Sequence, residues 1–141
     1  MKVFVIDTNV IVSAAVGRNP DSPPRRIVTA MLMGSNNFAI SAELLDECLR
    51  VLLEPKISMR NDLTRLQIEQ LLTDVEANAV MYSPRRCKFN ATDPKDQVLM
   101  DLVVALPDSV LITGDKALLH GARAAGCQVW TPRQWLDAQD Q

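Results

Sequence analysis

The chain has a single histidine, His120, and three cysteines, Cys48, Cys87 and Cys127, in 141 residues. One histidine excludes a His-rich metal centre. The cysteines are odd in number, far apart and without a C-x-x-C pair, so they read as reduced thiols and not as a zinc site or a disulfide frame. A metal ion, if one binds, must be held by oxygen. Aromatic residues make up only 4%, too few for a visible base-stacking platform that would read RNA sequence. No apolar run approaches the roughly 20 residues of a membrane span. Positive charge is in short supply as well: 15 Lys and Arg stand against 17 Asp and Glu, for a net charge of −2. A basic coat over the whole molecule is thereby excluded. The opening MKVFVIDTNV carries Asp7 and no small-residue cleavage site, unlike a secretory leader. The cytoplasm is the expected compartment.

Against these absences, 48% of the residues are hydrophobic and 23% charged, an ordinary globular balance. A chain of this size buries roughly 68–70% of its unfolded surface and needs no staples. There is no repeat, low-complexity tract or linker, so one domain is expected over 1–141.

Strands and helices alternate along the chain. Residues 2–6 read as a buried strand stopped by the polar turn Asp7-Thr8-Asn9, with a helix from Val10 to Val16. RNPDSPP (18–24) reads as a loop, and Arg25 to Met33 as a helix. Phe38-Ala39-Ile40 is a second strand, and Ser41 caps a helix with Leu44, Leu45, Cys48, Leu49 and Leu52 on one face until Pro55. Thr64-x-x-Gln67 has the capping-box pattern and predicts a helix over 64–78, with a short strand at 79–82. Ser83 to Thr92 is a loop. Asp93-Pro94 starts a helix to about Ala105, then come a strand at 109–113, a helix over 116–125, a strand at 127–130 and a terminal helix around 133–136. The alternation predicts an α/β fold with a parallel sheet covered by helices on both faces.

In such sheets, ligands bind beyond the carboxyl ends of the strands. The residues expected there are unusually acidic: Asp7 after the first strand, Asp115 after the fourth, Asp93 and Asp96 at a helix start, and Glu43 and Glu47 after the second strand. Carboxylates gathered in one crevice repel each other unless a cation sits between them. Mg²⁺ or Mn²⁺ suits oxygen ligands of this kind, and a carboxylate-held metal supports phosphodiester cleavage. Each acid also has a plainer use. Asp7 suits an Asx-turn, Asp93 and Asp115 suit helix caps, Asp96 complements a helix dipole, and Glu43 with Glu47 makes a solvated stripe.

Five segments in order carry a wider resemblance: VIDTNVIVSA (5–14), FAISAELLDECLRVLLEPK (38–56), ATDPKDQVLMDLVV (91–104), SVLITGDKALL (109–119) and VWTPRQWL (129–136). Together they resemble PIN-domain proteins, in particular the bacterial toxin components of toxin–antitoxin pairs. The resemblance implies a three-layer α/β/α domain with sheet order 3-2-1-4-5 and an Mg²⁺- or Mn²⁺-dependent endoribonuclease. It places the catalytic acids at Asp7, Glu47, Asp96 and Asp115, with Asp7, Asp96 and Asp115 as metal ligands. Thr8, Asn9, Glu43, Asp93 and Thr113 become supporting residues. Lys95 departs from the acid often found at its position. Arg85, Arg86 and Lys88, or Arg18, Arg25 and Arg26, become candidates for RNA phosphate contacts. A small antitoxin partner and a homodimer are implied by the resemblance alone.

Other hydrolase classes fit less well. His120 accompanies no G-x-S-x-G turn, and Asn9 stands where a haloacid-type phosphatase needs an aspartate. A phospho-acceptor domain would lack the Glu on the second-strand helix and the T-G-D turn. The remaining alternative is a non-catalytic PIN-like scaffold or protein-binding module.

Overall fold

Val3–Ile6 is β-branched and aromatic, and three of its four residues are buried. Such a run belongs at the centre of a sheet covered on both faces. The computed structural model, which describes residues 2–139, places it there. The elements in chain order are β1 (Val3–Ile6), α1 (Thr8–Val16), α2 (Pro23–Met33), β2 (Asn37–Ile40), α3 (Ala42–Leu52), α4 (Pro55–Ser58), α5 (Arg65–Asn78) and β3 (Val80–Met81). A 3₁₀ turn (Pro94–Asp96) then leads into α6 (Gln97–Ala105), β4 (Ser109–Ile112), α7 (Lys116–Ala124), β5 (Gln128–Trp130) and α8 (Pro132–Gln139). The sheet order is β3-β2-β1-β4-β5, every pair is parallel, and helices cover both faces. This is the three-layer architecture and strand order expected.

The order has a direct consequence. From β1 the chain steps outward to β2 and β3, then returns to the far side of β1 and continues to β5. The reversal lies between β1 and β4, whose carboxyl ends therefore diverge around a crevice. Register sets what flanks it. Ile6 pairs with Ile112, so Asp7 and Thr113, the next residues, stand side by side. The Asp7 N–H still bonds to the Ile112 carbonyl at 3.0 Å, and the Thr113 N–H to the Trp130 carbonyl at 3.0 Å. The core beneath is apolar and continuous, with Val5, Phe38, Leu44, Ile68, Leu102, Leu111 and Ile112 almost wholly enclosed. Helix α6 packs on β1 and β4, while α1 lies against α2 and α3.

Several boundaries differ from those read off the chain. Helix α1 begins at Thr8 and not at Val10, because the Asp7 carboxylate accepts the Asn9 N–H and turns the polar stop into a helix cap. Pro23 and Pro24 belong to α2, not to a loop: Ser22 caps it, and prolines fit a first turn whose N–H groups lack partners anyway. Pro55 ends α3 but opens the short α4. Asp93-Pro94 opens a 3₁₀ turn before the α-helix proper. The Thr64–Gln67 capping box is formed in both directions.

The Ser41 hydroxyl is fully buried and accepts the Leu44 N–H at 3.2 Å, fixing where α3 leaves the sheet. Ser41→Ala is expected to lower unfolding free energy by about 1–2 kcal/mol in urea titrations, with the fold retained by circular dichroism.

Candidate active site

Asp7 ends the central strand and is 3% exposed. A carboxylate this buried needs partners. The Thr113 hydroxyl donates to Asp7 Oδ2 at 2.7 Å and the Asn9 N–H donates to Oδ1 at 3.2 Å. Burial pushes the Asp7 carboxyl above its ordinary range, these two bonds pull it back, and the Asp115 charge raises it again. Thr113, itself fully buried, also accepts the Asp115 N–H at 3.0 Å. One hydroxyl thus ties together the turns that follow β1 and β4. Asp115 in turn caps α7, accepting the Ala117 and Leu118 N–H groups at 2.9 and 3.3 Å on Oδ1.

Glu47 comes from the second turn of α3 and is half-buried. Burial raises its carboxyl, with Arg50 opposing, Asp7 adding, and the Thr8 hydroxyl and Lys95 opposing. Its ion pair with Arg50 is loose, at 3.9 Å. Thr8 is buried beside it and also meets Cys48 Sγ at 3.5 Å. Asp96 sits where the 3₁₀ turn becomes α6, and its side chain caps nothing. Burial raises its carboxyl first, and the charges of Asp7, Asp93, Asp115 and Glu47 then add, bringing it up to about 6.

The four acids expected to be catalytic are thus linked electrostatically through Asp7 and Asp96. They come from four separate elements at the β1–β4 crevice. Asp93 joins from the rim, where it caps the 3₁₀ turn by accepting the Lys95 N–H at 3.0 Å. Glu43 does not join. It is exposed in the first turn of α3 and acts on none of these carboxyls. Asn9 contributes its backbone N–H, while its side chain faces solvent.

The basic residues divide into two groups. Arg25 donates to the Ala14 and Gly17 carbonyls at 3.4 and 3.2 Å, closing the C-terminus of α1. With Arg18 it borders a groove of about 940 Å³ that contains none of the candidate acids; Arg26 is exposed on α2. Arg86 is consumed by its own loop, bonding the Cys87 carbonyl at 2.7 Å and Asn90 Oδ1 at 2.9 Å. Arg85 and Lys88 are exposed and make no hydrogen bond or ion pair among the described residues.

Sequence reading missed the residues that build this 86–92 loop. Gln97 donates to the Phe89 carbonyl at 2.9 Å and to Asp101 Oδ1 at 2.8 Å, and accepts the Ala91 N–H at 2.9 Å. The Cys87 N–H donates to Asp101 Oδ1 at 3.0 Å. Partial burial pushes the Asp101 carboxyl up, but the bonds from the Cys87 N–H and Gln97 outweigh it and hold the group below its ordinary range. The loop is therefore pinned to α6 beside Asp93 and Asp96. No local motif announces such long-range ties.

Among the described residues, no group of three or more His, Cys, Asp or Glu side chains forms a ready-made metal cage. The donor chemistry nonetheless fits a hard divalent cation: the converging groups are all carboxylates, and their mutual repulsion raises Asp96.

The PIN domain family model matches residues 3–117. The chain belongs to the PIN-domain family, a family associated with nuclease activity. No curated protein matches it.

Two consequences follow for the protein without metal. Thr113→Val removes the donor to a buried carboxylate and should cost about 1–3 kcal/mol at neutral pH in denaturant unfolding. The second concerns pH. Asp96 binds its proton more tightly folded than unfolded, where its pKa is ~4, so the folded state carries the extra proton between that value and about 6. Stability in chelator should fall as pH rises through this window, a loss complete above it. Asp96→Asn should flatten the fall in thermal unfolding and be more stable than wild type at pH 7, though Asp7 and Glu47, shifted the same way, keep some of the slope.

Proposed function

We propose that this protein is an Mg²⁺- or Mn²⁺-dependent endoribonuclease that hydrolyses RNA phosphodiester bonds. One observation carries the reading: Asp7, Glu47, Asp96 and Asp115 reach the β1–β4 crevice from four elements, and there burial first, then the charges of the other three, raise Asp96. Membership of the PIN-domain family supports it. Carboxylates placed for structure alone gain nothing from this mutual repulsion, which a bound cation relieves.

Asp7, Asp96 and Asp115 would hold the ion, which supplies Lewis-acid polarisation and charge neutralisation for a phosphodiester. The protein's own contribution is order. Thr113 fixes Asp7, and the α7 N-terminus fixes Asp115, so two of the three carboxylates need no reorganisation. Asp96 is free to turn because it caps nothing. Glu47, whose carboxyl is raised by burial and which is only loosely paired with Arg50, is the group placed to take, as the carboxylate, the proton of the attacking water. Water oxygen bonds to phosphorus, the bond to the leaving ribose oxygen breaks, and no covalent enzyme intermediate is required.

The resemblance to toxin components extends the reading to a homodimer restrained by a small antitoxin protein. Co-purification of a small protein encoded beside this one would support that extension.

The catalytic reading is tested with purified protein and single-stranded RNA. Cleavage should require Mn²⁺ or Mg²⁺ and stop with chelator. Asp7→Asn and Asp96→Asn should each reduce it by about a hundredfold or more, with far-ultraviolet circular dichroism unchanged. Activity that persists in both variants would overturn the assignment, and a wild type that cuts no RNA under any metal would favour the non-catalytic scaffold.

A further inference from the structure

Beside the acids lies a second feature that the cleavage chemistry does not use. A cavity of about 250 Å³ opens between the 86–92 loop and α7, and Asp93, Asp96 and Asp115 form one side of it. Its volume is just below the roughly 300–1,000 Å³ of sites for drug-sized ligands, which suits one flat ring system and not a whole nucleotide. Asn90 and Thr92 add polar side chains from the loop, and the remaining walls are apolar. Ala117, Gly121 and Ala124 line it from α7. Spaced by four and three residues, they form one helical face with almost no side chain, flanked by Leu118 and Ala122, which also line the cavity. A Cβ built on Gly121 meets nothing within 4 Å, so the helix surface is open there. Met100, buried in α6, adds its thioether to the lining. At the mouth stands Phe89, a large apolar side chain left 44% exposed. That exposure is built in, because Gln97 holds the Phe89 carbonyl and Arg86 and Asp101 hold the loop on either side.

We propose that this cavity is a nucleobase subsite, which receives a base of the RNA strand next to the phosphodiester held at the acids. The occupant is a base with an exocyclic amino group: guanine, adenine or cytosine. The inference rests on the nuclease reading above and adds to it a preference among bases. Two observations select this occupant. The cavity is continuous with the candidate catalytic acids, sharing Asp96 and Asp115 with them, so the chain segment flanking a bound phosphate is what reaches it. Its polar edge is dominated by acceptors, with three carboxylates beside the side chains of Asn90 and Thr92. Asp93 uses Oδ1 for the Lys95 N–H, and a carboxylate retains further lone pairs for N–H donors. An amino-bearing base presents such donors at its edge, whereas uracil offers carbonyl oxygens on both sides of its single N–H and would set them against the carboxylates. The flat, small-residue face of α7 and the ring of Phe89 supply the apolar contact that bases take from proteins.

The subsite is tested first by binding, apart from catalysis. Guanosine, adenosine, cytidine and uridine are titrated into the full chain without metal, with amide chemical shifts as the readout. The first three should shift residues around Phe89 and Gly121, and uridine should bind at least about fivefold more weakly, a gap on the order of 1 kcal/mol. Gly121→Leu should abolish the shifts by filling the cavity, and Phe89→Ala should weaken them several-fold. Asp93→Asn should remove the discrimination against uridine. Cleavage of short homo-oligomers gives the second readout. Phe89→Ala should slow cutting of oligo-adenosine and oligo-cytidine towards the oligo-uridine rate. Equal binding of all four nucleosides, or shifts that survive Gly121→Leu, would overturn the subsite. A wild type that binds nucleosides selectively yet cuts none of the oligomers would count against the nuclease reading and leave the subsite standing. Cleavage with no base preference and no nucleoside shifts would do the reverse.

Discussion

A single hydroxyl holds the crevice together. Thr113 donates to Asp7 and accepts from the Asp115 N–H, so the turns after β1 and β4 share one hydrogen-bonded centre. Asp7 tolerates near-complete burial only because of that donor and the Asn9 N–H. The remaining acids are then arranged around a carboxylate whose position is already settled. Electrostatically the arrangement is expensive for the empty protein: burial and like charge both oppose ionisation at Asp96. What the fold gives up in stability at the crevice is offset by the apolar sheet and helices beneath it, where Leu102, Val110, Leu111 and Ile112 are sealed from solvent. The site is thus the least comfortable part of a well-packed molecule, as expected where local stability yields to binding.

The elements with strong local signals were legible in the residues. The apolar strands, the capping box at Thr64–Gln67 and the acids after β1 and β4 depend on neighbours within a few positions, and the α/β class follows from the alternation of elements, whereas the strand order came from the resemblance to PIN domains. Proline was the least transparent signal. Pro23, Pro24 and Pro55 read as interruptions, yet each opens a helix, because a residue without an N–H fits a turn whose N–H groups have no acceptor. Whether a proline closes one element or opens the next depends on the capping residue before it.

The candidate acids were legible as residues but not as a group with internal differences. Spacing put Glu43 and Glu47 on one stripe, whereas the structure leaves the first in solvent and tucks the second against Thr8 and Asp7. Similarly, the arginines looked interchangeable. Arg25 and Arg86 in fact spend their donors on backbone carbonyls, one at the end of α1 and the other within its own loop. The loop around Phe89 was the least readable part, since Gln97 and Asp101 shape it from α6 through bonds that no local pattern encodes.

The register of the central strand has a bearing on biosynthesis. Val3–Ile6 leaves the ribosome well before its neighbour on one side, Ser109–Ile112, which lies more than a hundred positions later. Until that distant stretch has emerged, Asp7 lacks the Thr113 hydroxyl and the neighbouring Asp115 carboxylate. A nascent chain therefore carries an incomplete centre throughout synthesis of the stretch between β1 and β4. The long sequence separation of β1 and β4 acts as a timer that delays assembly of the crevice until both strands have been made.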